Sequence, residues 1–436
     1  MNPASGREIY LMQRCRISIL LILVVYLLLA TTGQAAVHEK VLYRFVGGTD
    51  GAHPSSSLLL DAAGNLYGTT VDGGNLPNCF SGLGCGVVFK LTPPSGNGKW
   101  KETVLYAFQG GTDGLEPTGG LVFDNAGNLY GTTYGGGTGT ACTYVPGCGT
   151  VFELSPKGGH WIEKVLYSFQ NGTDGALPSG LTIDASGNLY GTTIAGGAAG
   201  RGTVYELSPP QHKRGQWAET TLYAFQDFEI QANPGLVFDP KGNLYGTWYQ
   251  LYSCYPGCGA VFELKHVGKS WQETDLYDFQ GGGNGGEPMA GVILDDKGHV
   301  YGTGAEGGNN QGIAFELTGS GSQWTEVMLY NFCSQNNCAD GADPYAPLVF
   351  DQSGNLYGTT VGGGTGCSFQ SSCGVVFKLT PGKFGWTETV LHNFKGSPDG
   401  SNPTQGVIFA KSGNIYGTTP NGGASGGYGT VFELAP

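Results

Sequence analysis

Gly127-Asn-Leu-Tyr-Gly-Thr-Thr133 is one of seven related heptapeptides in this 436-residue chain. The others start at Gly64, Gly187, Gly242, Gly298, Gly354 and Gly413. Their central tyrosines are Tyr67, Tyr130, Tyr190, Tyr245, Tyr301, Tyr357 and Tyr416, spaced by 63, 60, 55, 56, 56 and 59 residues. A period of this length marks a repeat architecture, and it decides the fold before any single residue is weighed.

Around Tyr130 the unit reads as four short strands. Gly120-Leu-Val-Phe-Asp124 is an apolar run, Asn125-Ala-Gly-Asn128 a turn, and Leu129–Thr133 a second strand. After a glycine-rich loop, Gly149-Thr-Val-Phe-Glu-Leu154 forms a third, and Trp161-Ile-Glu-Lys-Val-Leu-Tyr-Ser-Phe169 a fourth. All are β-branched or aromatic runs bounded by Gly, Pro, Asn or Asp, and no useful helical stripe occurs outside the N-terminus. Seven such units predict an all-β fold, a seven-bladed β-propeller with four antiparallel strands per blade. The ends support closure. Val41–Phe45 is a fourth strand with no unit before it, and Gly429–Leu434 a third strand with none after it, so the N-terminal strand completes the last blade. An open β-solenoid is the competing arrangement, and it would need capping repeats.

Residues 1–36 read as a signal peptide. Arg7, Arg14 and Arg16 precede an apolar run from Ile17 to Ala30, and Thr31–Ala36 supplies small residues for cleavage. The run falls short of the ~20 residues of a spanning helix, so a retained anchor is the weaker alternative, and the product, residues 37–436, is expected to be secreted or held in the cell envelope without a membrane span. Without the first 36 residues the chain carries 18 basic and 33 acidic side chains, a net charge of −15. Such a balance repels phosphate backbones, which excludes nucleic acid as a partner. Ten cysteines pair by proximity, each pair inside one expected loop: Cys79/Cys85, Cys142/Cys148, Cys254/Cys258, Cys333/Cys338 and Cys367/Cys373. Close, even pairing in an exported chain reads as disulfides. No CxxC and no neighbouring histidine points to zinc.

The repeated polar residues read as structure. Asp-x-x-Gly-Asn corners, as at Asp124–Asn128, are turns held by Asp and Asn, and a calcium loop would need more carboxylates. Trp100, Trp161, Trp217, Trp271, Trp324 and Trp386 head the fourth strands, one per unit, and read as packing anchors. Gly-Thr-Asp-Gly loops at Asp50, Asp113 and Asp174 share one rim, as turns with solvated acids or as a cation-binding ring. None of the seven histidines forms HxH or HExxH, and no GxSxG or phosphate loop occurs, so no catalytic residue, metal or cofactor is expected. Unit four departs most: Trp248 replaces the second threonine of the heptapeptide and Tyr249–Cys254 replaces a Gly-Gly loop. Trp248, Tyr249, Tyr252 and Tyr255 are therefore the candidate binding loop.

The units resemble the GloVer tandem repeat of secreted bacterial proteins, with its GLVFDxxGNLYGTT…GxVFEL pattern, and more distantly NHL-type propellers. The resemblance spans about residues 41–436 and implies export and a propeller. It supplies no catalytic residues. Relatives in that group often carry a C-terminal surface-anchoring domain, and here the repeats run to the last residues given. The expected function is a binding module for a polysaccharide, a surface glycan or another exported protein, acting on the rim of the long second-to-third-strand loops. The alternatives are an enzyme (lyase, lactonase or glycan hydrolase) with a metal in the central channel, and a structural or adhesive envelope component.

Overall fold

A computed structural model describes residues 37–435, apart from 75–78, 80–81, 97, 144, 213–214, 227–229, 233–234, 251–257, 269, 322 and 368–372. The expected signal peptide, Cys254, Tyr252 and Tyr255 thus lie outside the described residues. The chain is a seven-bladed β-propeller. Blade two shows the pattern, from the innermost strand outward: Val122–Phe123, Leu129–Thr133, Thr150–Lys157 and His160–Ser168. The innermost strand is shorter than its apolar run suggests, pairing over two residues in most blades. The N-terminal strand His38–Arg44 pairs with Thr430–Ala435 and becomes the outermost strand of blade seven. The ring is closed, as the unpaired strands at the two ends of the sequence require. Among the described residues no helix is long and apolar enough to cross a membrane.

One contact recurs at every blade boundary. The phenylalanine of Leu-x-x-Phe ends each outermost strand and sets its ring edge-on against the aromatic residue of the next blade's third strand. Phe108 meets Phe152 at 5.0 Å between centroids, Phe169 meets Tyr205 at 5.0 Å, and Phe332 meets Phe377 at 4.9 Å. The circle closes through Phe394–Phe432 and Phe45–Phe89, both at 5.2 Å. These rings are buried, and edge-to-face packing adds to their burial. The glycine of Tyr-Gly-Thr makes room for them: a Cβ on Gly131 would stand 2.5 Å from the Phe152 ring. The Trp anchors pack across boundaries as expected, Trp161 against Tyr67 and Trp100 against Tyr416. The first threonine of the heptapeptide ties blades nearer the axis. Thr247 donates to the Ala290 carbonyl at 2.8 Å and Thr303 to that of Ala346 at 3.0 Å.

Acids occur in two structural sets. At the corners, Asp124 accepts from Ala126 N, Asn128 N, Asn128 Nδ2 and the Tyr130 hydroxyl. Burial opposes its ionisation, but these donors prevail and hold its pKa below the usual value. At the outer boundaries, Tyr106 donates to Asp113 at 2.7 Å and the loop amide of Gln109 donates to the same carboxylate. Glu163 of the next blade comes up beside Asp113. Burial first, and Asp113 second, push the Glu163 carboxyl up to about 8. Glu102 and Glu388 rise to about 7 for the same reasons, beside Asp50 and Asp340. Glu219 also reaches about 7, by burial and Asp174 against an opposing bond from Thr221.

The gap beside each ring and the protonated boundary acids both bear on stability. Gly131→Ala should cost about 1–3 kcal/mol by overpacking, measured by chemical denaturation, and Phe152→Leu in the same chain should restore part of the loss. A neutral Gly131→Ala would show that the ring does not need the gap. The boundary glutamates have folded pKa values above the ordinary 4.5, so their stabilisation is complete below pH 4.5 and is lost as pH rises towards 7–8. The melting temperature should therefore fall between pH 5 and pH 8.5. Glu163→Gln, which needs no proton, should raise it by about 2 °C at pH 8.5 and leave it unchanged at pH 5.

Candidate functional site

Antiparallel order assigns the connections to two faces. The Asp corners and the third-to-fourth-strand hairpins share one face. The second-to-third-strand loops and the connections between blades share the other. Four disulfides, Cys79–Cys85, Cys142–Cys148, Cys333–Cys338 and Cys367–Cys373, all fall on that second face. Each closes a loop of only five or six residues' separation, worth ~2 kcal/mol in loop entropy. Their position explains more than that figure. The Glu116 amide donates to the Cys85 carbonyl, the Leu177 amide to that of Cys148 and the Asn402 amide to that of Cys373, at 2.8–2.9 Å. A disulfide cysteine thus presents the acceptor that hooks the next blade.

The fifth expected pair, Cys254/Cys258, has one member, Cys254, outside the described residues. Its other member corrects the reading of that loop. Cys258 does not lie in a loop: it is the first residue of the third strand of blade four, Cys258–Val267, and pairs with Gln250. The reason is the missing Gly-Gly turn. Blade four's second strand runs on to Gln250 where blade two's stops at Thr133, and the ladder between the two strands lengthens to take in Cys258.

The residues hooked by the cysteine carbonyls belong to a ring around the channel mouth. Six connections between blades end, among the described residues, in a residue just before proline: His53, Glu116, Leu177, Glu287, Asp343 and Asn402. All six have left-handed backbone, φ between 47° and 58°. That conformation is costly for a residue with a side chain and is characteristic of functional sites. The backbone bonds hold it in place. The amides of His53, Glu116, Leu177, Asp343 and Asn402 bond to the preceding blade. At three positions the carbonyl accepts from the residue that follows its own blade's second strand: Tyr134 N to Glu116 O at 2.9 Å, Ala305 N to Glu287 O at 2.9 Å and Val361 N to Asp343 O at 3.0 Å. The side chains then differ: Leu177 is buried in the core between blades two and three, and Asn402 Nδ2 donates to the Val361 carbonyl at 3.0 Å, whereas Glu287 and Asp343 bring carboxyls to the mouth.

The carboxyls of Glu287 and Asp343 and their neighbours gather at one place. Burial, then Glu306, raises the carboxyl pKa of Glu287 and of Asp343. The Tyr345 phenol is pushed up by burial and then by Asp343, Glu287 and Glu306. Tyr249 feels Glu287 and Tyr134, and Tyr134 feels Glu116. Half-buried acids and phenols from blades two, four, five and six therefore sit within electrostatic reach of one another. On the blade-one side His53 Nδ1 lies 2.8 Å from Asp72 Oδ2.

Below the mouth is a cavity of about 480 Å³ on the propeller axis. Every blade contributes to its wall, through Ser57, Gly120, Gly180, Gly235, Gly291, Pro347 and Gln405 among others. Of the residues lining it, only Tyr345 carries an ionisable group. The acids ring the entrance and the wall is neutral. A second hollow of about 420 Å³ opens on the same face between blades five and six, and Asp343 borders it too.

The anticipated site residues fall as follows. Tyr249 stands at the mouth, half-buried. Trp248 is turned away from it: the indole donates to Asp275 at 2.9 Å and packs in the core shared by blades three and four. The rim acids Asp50, Asp113 and Asp174 are engaged by tyrosine hydroxyls and loop amides, which makes them loop organisers. The mouth ring itself was not picked out from the sequence. Its signal was present as the proline that follows each connection, with a residue before it that changes from unit to unit among histidine, glutamate, leucine, aspartate and asparagine.

The family model described as the Gloeobacter/Verrucomicrobia repeat matches residues 81–251 and 211–432. The chain belongs to that family. No curated protein matches it. Among solved structures it is similar to a protein from Dyadobacter fermentans DSM 18053, at 13% identity over 92% of this chain and 98% of that one, with a TM-score of 0.46. It is also similar to a protein from Lactobacillus plantarum, at 12% identity over 76% and 84% of the two chains, TM-score 0.46. A third is a protein described as an oxidoreductase (glucose dehydrogenase) from Thermus thermophilus, at 14% identity over 92% and 100%, TM-score 0.40.

Proposed function

We propose that this repeat protein is an exported binding module that takes a neutral or amino-sugar-bearing glycan at its channel mouth. The observation that carries the reading is the convergence of Glu287, Glu306 and Asp343 with Tyr134, Tyr249 and Tyr345 above a neutral cavity. Carboxyl oxygens accept the hydroxyl protons of a sugar, and phenol rings cover its C–H faces. The cavity is of a size that suits a small ligand group. Acids at the entrance repel uronates and phosphates, and the net charge of −15 acts in the same direction. Export agrees with four disulfides, which persist in oxidising compartments. The long loops that vary between units surround this mouth, and loops on a rigid frame commonly carry function.

The chain should be screened on immobilised neutral glucans and xylans, on chitosan and on alginate. Binding to a neutral or amino polymer and not to alginate is expected. Tyr345→Ala and Glu287→Gln should each weaken it about tenfold, the equivalent of one lost hydrogen bond or stacking contact, with unchanged melting temperatures. Binding to alginate alone, or full binding by both variants, would overturn the reading. The raised Glu287 and Asp343 carboxyls would also suit acid–base chemistry. The bound polymer should therefore be assayed for new reducing ends, whose appearance would turn a binder into a hydrolase.

A further inference from the structure

The outer boundary between blades six and seven differs from the other six. Elsewhere a tyrosine stands two residues before the boundary phenylalanine: Tyr43, Tyr106, Tyr167, Tyr223, Tyr277 and Tyr330. Here the position is His392. Its Nε2 lies 3.1 Å from Asp399 Oδ2. Glu39, on the N-terminal strand that closes the ring, reaches the same point, and ligand atoms of the three residues all lie within 4.8 Å of one another.

The aspartate is also differently bound. At the matching boundaries both carboxylate oxygens have donors. Asp50 takes Tyr43 and Val46 on one and Gly48 on the other. Asp174 takes Tyr167 and Gln170 on one and Gly172 on the other. Asp340 likewise uses both, through Tyr330, Ser334 and Gln335. Asp399 Oδ2 accepts from His392 and the Lys395 amide, yet its buried Oδ1 has no donor, and neither does the buried Glu39 Oε1. The glutamate oxygen has counterparts at Glu102, Glu163, Glu326 and Glu388, but among the described residues Asp399 is the only aspartate left so. Two buried, donorless carboxylate oxygens beside an imidazole are costly as they stand. They become favourable around a cation. Arg44, on the same strand as Glu39, is turned to the Pro398 carbonyl at 2.8 Å.

We propose that Glu39, His392 and Asp399 bind one divalent transition-metal ion of the zinc class, which staples the closing strand to blade six. One imidazole with two carboxylates is a three-ligand zinc set that leaves a fourth position for water. The imidazole selects against calcium and magnesium, which want oxygen alone. Bonds of ~2.1 Å would draw the three side chains slightly together. On binding, the Nε2 proton of His392 goes to solvent, Nδ1 holds the ring's remaining proton (taking one from solvent where it lacks it), and the Nε2 lone pair goes to the ion.

The test uses the full chain, stripped with EDTA and titrated with zinc chloride, with calcium chloride as the control. One zinc per chain is expected, with a rise in melting temperature that calcium does not give and slower hydrogen exchange in residues 38–44. His392→Tyr installs the residue found at the other six boundaries, so it should fold and melt like the metal-free chain while losing at least ~100-fold in zinc affinity. Asp399→Asn should also lose the zinc response, and it carries the test if His392→Tyr fails to fold. No zinc uptake, or undiminished uptake by these variants, would overturn the site and leave His392–Asp399 as an ion pair only.

Discussion

The structure depends on a ring of aromatic edges. Each boundary phenylalanine needs the third-strand ring of the next blade, and each third-strand ring needs a glycine on the strand beside it. Phe169 against Tyr205 and Gly191 shows the same arrangement with a tyrosine in place of the phenylalanine. Because the contact links blade to blade, no blade can bury its outer face alone. The last contact, Phe45 with Phe89, is made by the N-terminal strand. Closure is therefore the same interaction used once more, across the ends of the chain, and it removes the exposed sheet edges an open ring would leave.

Much of this was legible in the sequence because repetition shows constraint within a single chain. The glycine of Tyr-Gly-Thr, the Leu-x-x-Phe pair and the Trp-x-Glu step recur at fixed offsets, and each proved to hold a boundary. The Asp corners were legible for the same reason. What repetition hides is the reverse case, a position whose backbone is constant and whose side chain is not. His53, Glu116, Leu177, Glu287, Asp343 and Asn402 share one conformation and little chemistry. Read down the chain they look like noise before a proline. Unit four misled in the opposite sense. Trp248 broke the repeat in sequence but was absorbed by packing against a neighbouring blade, and Cys258 joined a lengthened strand ladder, while Tyr249 reached the mouth.

The large negative charge of the chain separates into groups with different physics. Corner aspartates are surrounded by donors and stay ionised at low pH, as at Asp61 and Asp351, where hydrogen bonds outweigh burial. Boundary glutamates are buried beside an aspartate that already holds the available donors, and they keep a proton. Mouth carboxyls are raised by burial and by each other. The first two groups belong to the frame and are repeated. Only the third depends on residues that are not repeated, Glu287 and Asp343 at ring positions where other blades carry histidine, leucine or asparagine, with Glu306 beside them, which is the pattern expected of a site built on a scaffold.

The same division explains how the frame tolerates variety where a ligand would be read. A left-handed residue before proline is a strained choice, and in an isolated loop it would relax. Here, as at Glu116 and Asp343, its amide is held by the previous blade and its carbonyl by the residue after its own second strand, so the strain is borne by backbone bonds that any residue can make. Two side chains add to that hold, Leu177 by core packing and Asn402 by a bond from Nδ2 to the Val361 carbonyl. Histidine, glutamate, leucine, aspartate and asparagine nevertheless share one backbone conformation at equivalent positions. A disulfide on the acceptor side, as at Cys85, Cys148 and Cys373, fixes the hook without specifying what hangs from it. A ring built this way can change what it recognises residue by residue, while the aromatic circle behind it, which admits only a tyrosine for a phenylalanine at Tyr205, keeps the blades in register.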